Sequence, residues 1–201
     1  MAHGFHSLAA CGLAIGLSAG EFAPARETPP RLSLQVLVYC QTAVRHEILL
    51  RAQDTTMRVF QRAGVDVVWL DATTHVVTPS AYFVRVVANA PPASATALGF
   101  AILDSRVASV LYPRVGQLAA ASVVDIGTAL GDVIAHELGH LLLGTGEHSL
   151  NGIMRSEFNL LRAQQGTVFF TDDQARAIRA ALGHSDREPR AARLTRPIAR
   201  R

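Results

Sequence analysis

The sequence predicts an α+β fold, three-layered and α/β/α-like, with a mixed sheet of about five strands, one long helix after the sheet and a second helix near the C-terminus. Three observations predict it. Five short runs rich in β-branched and aromatic residues fall between residues 32 and 112. One long helical stripe covers residues 122–143. Of the 201 residues, 49% are apolar and 17% charged, which supplies one buried core and excludes a largely disordered chain.

Residues 32–40 alternate apolar and polar at first and then run continuously apolar, the pattern of a strand that becomes buried. Residues 44–63 carry Ile48, Leu49, Ala52, Met57, Val59 and Phe60 at helical spacing, with Arg45, Arg51, Arg58 and Arg62 between them and Gly64 as the stop. Residues 65–70 and 81–88 read as the next two strands. After a Pro/Ala/Ser loop over 89–97, residues 98–103 and 108–112 read as two more. The order strand, helix, strand, strand opens a sheet with helices packed on it. In the long helix, Ile126, Leu130, Val133, Ile134, Leu138, Leu141 and Leu142 form the apolar stripe. Beyond it, Gly144, Gly146 and Gly152 break the chain into turns. The last helix starts at Thr171, with Gln174 placed for a capping box, and runs to about Leu182.

The chain thus divides into a leader-like segment and linker (1–30), a folded domain (31–183) and an Arg-rich tail (184–201) without periodicity that reads as disordered. The apolar run of residues 8–19 is too short to span a bilayer and suits a signal-peptide core, with Ser18-Ala19-Gly20 as a small-x-small cleavage site. A secreted or envelope location is expected on that ground. The leader is atypical, having only His3 and His6 before the apolar run. A mis-set start, a plain disordered terminus and a lipoprotein box at Cys11 compete with the signal peptide.

All 19 basic residues are arginine. Without lysine there is no Schiff-base, Walker-type or kinase-type lysine chemistry. The formal charge of +3 belongs to the tail, where six arginines face Asp186 and Glu188; the rest is nearly neutral and carries no nucleic-acid stripe. Cys11 and Cys40 alone exclude a disulfide framework and a CxxC zinc site. Histidine and carboxylate chemistry is what remains.

His136-Glu137-Leu138-Gly139-His140 matches HExxH. Two histidines four apart on a helix lie about 6 Å from one another on one face and can meet one metal ion, while Glu137 can reach a water on that ion. By chance the pattern arises in roughly one chain in a few hundred of this length, but here it sits inside a strongly amphipathic helix that stops where a third ligand is needed. Gly144 and Gly146 let the chain turn, and His148 comes directly after them. Glu157, 17 residues after His140, and Glu147 are the alternative third ligands.

From the HExxH segment through the glycine turn to His148-Ser149 and Gly152-Ile153-Met154, the sequence resembles the metzincin clan of zinc endopeptidases, most of all its matrixin-type members, in a minimal single-domain bacterial form. The resemblance is specific over residues 131–157 and architectural elsewhere. It implies a zincin-like catalytic domain over residues 31–183 in which His136, His140 and His148 hold Zn2+, Glu137 is the general base and Met154 lies beneath the metal. The clan pattern HExxHxxGxxH is stretched here, with Gly144 four and His148 eight residues after His140, and the six residues from His148 to Met154 leave a minimal C-terminal subdomain.

The expected function is a zinc-dependent endopeptidase that hydrolyses peptide bonds through a metal-activated water. The alternatives are a zinc-stabilised binding module with little or no turnover and a zinc hydrolase acting on a non-peptide bond. The expected partner is a peptide or protein substrate lying along an edge strand, for which residues 98–103 are the candidate; no nucleic acid, no transmembrane segment and a monomer complete the expectation. Elsewhere the bland reading is preferred: Asp132 as a solvated helix residue, His46 and His75 as surface residues, Ser149 as bonded to backbone or idle, Tyr112 as a strand aromatic in the core, and Cys40 as a small buried hydrophobe.

Overall fold

The computed structural model describes residues 32–71, 78–89, 96–156 and 168–185. In chain order the elements are β1 (Leu32–Cys40), α1 (His46–Arg62), β2 (Val65–Leu70), β3 (Tyr82–Val87), β4 (Gly99–Ile102), a 3-10 turn (Leu103–Ser105), β5 (Val107–Leu111), α2 (Tyr112–Ala121), α3 (Ile126–Leu143) and α4 (Asp172–Ser185). The sheet is mixed, in the order β2-β1-β3-β5-β4. Four strands are parallel, and β4 runs antiparallel to β5 at one edge.

Alternation along the strands decides which face is buried. Leu34 and Val36 of β1, Val65 and Val67 of β2, Tyr82 and Val84 of β3, and Ala108 and Val110 of β5 point to one side and join a single core. Against them lie Ile48, Ala52, Val59 and Phe60 of α1, Leu130, Val133, Ile134 and Leu138 of α3, and Ile178 and Leu182 of α4. Of the intervening strand residues, Ser33, Gln35, Tyr39, Val68 and Phe83 are exposed or half-buried, whereas Leu37, Ser109 and Leu111 are buried. The helices named above form a layer on the first face.

Helix α3 runs through the middle of this layer. Asp125 caps it by accepting from the Thr128 backbone N–H at 2.9 Å. It ends at Gly144, whose φ of +66° favours a residue without Cβ and whose N–H donates to the His140 carbonyl at 3.0 Å. Fifteen of its 18 residues are buried, because α1 packs on one side and the sheet on the other. The expected capping box of α4 is present: the Thr171 N–H donates to Gln174 Oε1 at 2.9 Å, and the Gln174 N–H to Thr171 Oγ1 at 3.3 Å.

Three expectations need correction. Tyr112 does not end a strand; it opens α2, an additional helix whose start is marked by Pro113 in the first turn, and the long helix accordingly begins at Ile126 rather than at residue 122. Cys40 is exposed at the end of β1, where the strand runs past its cover. Asp132 is not solvated: it is 1% exposed, because α3 is covered by α1 on the side where periodicity alone would place solvent. His46 is exposed as expected, and His75 and Glu157 lie outside the described residues.

Candidate metal centre

The helical spacing puts His136 and His140 one turn apart, with their Nε2 atoms 3.0 Å from each other. After Gly144 the chain turns back and carries His148 to the same place. The ring centroids of His148 lie 5.3 Å from His136 and 5.0 Å from His140, and one ligand atom from each of the three rings falls within 4.8 Å of the others. His136 and His140 are buried, and His148 is on the open side. Glu147 is exposed and outside this group, its backbone N–H bonded to Thr145 Oγ1 at 3.1 Å.

The turn that returns His148 also orients the two helical rings. His136 Nδ1 donates to the Ile153 carbonyl at 2.7 Å, and His140 Nδ1 donates to the Thr145 carbonyl at 2.8 Å. With the proton held on Nδ1, each neutral ring presents a lone pair on Nε2, and two such lone pairs facing each other at 3.0 Å are reconciled by a shared cation. Burial, reinforced by the neighbouring histidines and opposed by the Ile153 carbonyl, depresses the His136 pKa to about 4. Burial lowers His140 as well, against the pull of the Thr145 carbonyl. Both rings are therefore unprotonated near neutral pH, the state a metal requires. Three imidazoles with an open fourth side suit Zn2+.

Beneath the histidines the packing is tight. Met154 is 1% exposed, and a Cβ placed on Gly139 would meet its Sδ at 2.5 Å and Phe170 at 2.8 Å. The Ser149 N–H donates to the Met154 carbonyl at 2.8 Å, and Ile153 N–H to Phe169 O at 2.9 Å. Ser149 Oγ donates to Asn151 O and accepts from Gln174 Nε2 at 3.0 Å, which ties the loop to α4. Ser149 is thus a brace for the turn.

Glu137 is 5% exposed and points to the edge strand. At Gly99 in β4 a Cβ would sit 2.6 Å from Glu137 Oε1 and 2.8 Å from the Ser109 carbonyl, so glycine is what lets the strand pass this close to the carboxyl. Burial raises the Glu137 pKa to about 8. A divalent cation nearby acts in the opposite direction and favours the carboxylate. A cavity of about 640 Å³ opens here, its lining including Leu98, Gly99, Phe100, His136, Glu137, His140, His148 and Arg155.

Asp132, one turn before His136, does not orient that ring, whose Nδ1 is bonded to Ile153. Both its carboxylate oxygens lack a hydrogen-bond partner among the described residues. Desolvation, partly offset by the positive charge of Arg58, raises its pKa to about 7.

No protein-family model matches the sequence, and none of the curated proteins does. Solved structures match the fold. A zinc-dependent peptidase from Methanocorpusculum labreanum aligns with a TM-score of 0.51 at 16% identity, over 71% of this chain and 99% of its own. The archaemetzincin of Archaeoglobus fulgidus, complexed with malonate, aligns with a TM-score of 0.50 at 13% identity, over 72% of this chain and 99% of its own. For the archaemetzincin of Methanopyrus kandleri the values are 0.50, 16%, 76% and 96%. The mixed sheet and its helices are thus similar in fold to zinc-dependent peptidases of the archaemetzincin kind.

Proposed function

We propose that this protein is a zinc-dependent endopeptidase. The observation that carries the reading is the convergence of three histidines whose ligand atoms fall within 4.8 Å, with Glu137 in the same cavity beside β4, the edge of the sheet among the described residues. His136, His140 and His148 would hold the zinc. When bound, zinc supplies Lewis acidity toward a carbonyl oxygen and lowers the pKa of water toward 7.

The chain's own residues perform the rest. Glu137 accepts the proton of the attacking water and delivers it to the leaving amine. The outer edge of β4, unpaired among the described residues, offers backbone groups on which an extended peptide adds as a strand, beside the carboxyl that Gly99 admits. Met154, packed under Gly139, holds the floor level. The matrixin-like character of residues 148–154, the monomeric state and an extracellular or envelope location are parts of the same proposal.

A zinc-stabilised binding module has no use for Glu137. A buried carboxyl whose pKa stands near 8 costs stability in the metal-free fold, and a structural site would close its fourth position instead. Measuring zinc content together with cleavage of casein and a peptide library, for the wild type and Glu137→Ala, separates the two. Stoichiometric zinc with cleavage lost only in Glu137→Ala is expected; stoichiometric zinc with no cleavage in either protein refutes the peptidase. His148→Ala should weaken zinc binding at least about 100-fold while Glu147→Ala leaves it alone. Zinc affinity abolished by Glu157→Ala and untouched by His148→Ala would overturn the ligand set.

A further inference from the structure

Among the described residues, the cavity lining holds one permanent cation, Arg155. Glu137, the single carboxyl among the described lining residues, is committed to the proton transfer proposed above. Arg45, Arg51, Arg58 and Arg176 pair with carboxylates, but Arg155 has no ion-pair partner among the described residues. It is half-buried, and no carboxylate among the described residues pairs with it.

Nor is it an idle arginine on a loose loop. Its backbone forms a parallel bridge with Ser149 and comes directly after Met154, whose carbonyl is held by the Ser149 N–H at 2.8 Å. The bridge lies in the same turn whose Ile153 carbonyl orients His136. The same cavity lining includes the apolar side chains of Leu98, Phe100, Leu103 and Leu118. A planar fork with several donors in such surroundings matches a carboxylate in two-point contact.

We propose that Arg155 is a specificity-determining residue that receives a carboxylate of the bound peptide within a residue or two of the scissile bond. This rests on the peptidase reading. The carboxylate has two sources, an internal Asp or Glu side chain or the free C-terminus of a short peptide, and either is the same chemistry at the guanidinium. An extended peptide advances about 3.3 Å per residue, so a contact in the same cavity as the histidines selects a neighbour of the cleaved bond, not a distant residue.

The test uses the zinc-loaded full chain and quenched fluorescent peptides that are amidated at the C-terminus, differing only in Glu, Gln or Lys placed on either side of the cleaved bond. A second set has Gln throughout and a free C-terminal carboxylate. The wild type is expected to favour Glu over Gln, or the free carboxylate over the amide, by about 10- to 100-fold in kcat/KM. In Arg155→Gln that ratio falls to about one, in Arg155→Glu it turns toward Lys, and in Arg155→Lys it is partly restored.

Binding of the same peptides to Glu137→Gln, with and without Arg155→Gln, measured by fluorescence anisotropy, reads the preference without turnover. A wild type with no preference in either set, or a preference that survives Arg155→Gln, overturns the proposal. If no peptide is cleaved at all, the peptidase reading fails separately, and the anisotropy ratio still decides the role of Arg155.

Discussion

Asp132 shows how far a single residue can depart from its sequence context. In the pattern of the long helix it falls beside Leu130 and Val133 and reads as the wet side of the stripe. In the fold it is 1% exposed, with both oxygens unpartnered among the described residues. Its pKa of about 7 stands above the ordinary 3.8. Below pH 4 both folded and unfolded chains carry the proton. Between about 4 and 7 only the folded chain does, so stability falls as pH rises through this window and is flat above it. The full loss is about 4 kcal/mol. Urea unfolding of zinc-free protein should therefore show Asp132→Asn gaining on the wild type from pH 4 to pH 8; a difference that does not vary with pH refutes it. The meeting of His136 and His140, in contrast, was legible because it depends on spacing along one helix, which the sequence states directly. Whether Asp132 is wet depends on α1, which the spacing does not reveal.

The elements were legible in proportion to how local their causes are. The capping box of Thr171 and Gln174 is written within four residues and is found where expected. Helix α2 was not anticipated. Its ten residues contain Gly116 and bury only Val115 and Ala119, so its stripe is too weak to stand out from the strand before it and the long helix after it. Close packing between elements is equally silent in a sequence. Gly139 reads as a poor helix residue, yet a Cβ there would press on Met154 Sδ at 2.5 Å and on Phe170. Two effects oppose each other in Gly139→Ala. Helix propensity favours alanine by about 1 kcal/mol. Overpacking costs about 1–3 kcal/mol, and here both neighbours are buried, so the clash should win. Thermal melting of zinc-free Gly139→Ala below the wild type is expected, with weaker zinc binding as the Met154 turn is displaced. An unchanged or higher melting point sinks this account of the packing.

At the scale of the molecule, strand count and the single core come from alternation and length. Strand order does not, since β1 lies between β2 and β3, and β3 pairs with β5, through contacts remote in sequence, while β4 folds back on β5 as a local antiparallel pair. The centre joins these remote parts: the two helical histidines come from α3, His148 from the turn, and the turn is held to α4 through Ser149 and Gln174. Zinc should therefore stabilise the whole folded unit. At about 100 times its dissociation constant it contributes about 2.7 kcal/mol, or roughly 5–10 °C in a domain of this size. Calorimetry with and without a chelator should show one transition moving as a whole. A melting point indifferent to the chelator would mean that the histidines do not hold metal in the folded chain.

The open side of β4 has a second consequence, which concerns other copies of the same chain. Any strand edge that can accept a peptide can also accept its own kind, and Ile102 and Leu103, 45% and 39% exposed, make that edge sticky. Several features restrain it. β4 is only four residues long, Gly99 leaves it without a side chain at one end, and the 3-10 turn with Arg106 at φ 54° bends the chain away at the other. A short edge with a cation beyond it can hold a few residues of a passing substrate, yet offers too little length for a stable ladder between two folded molecules.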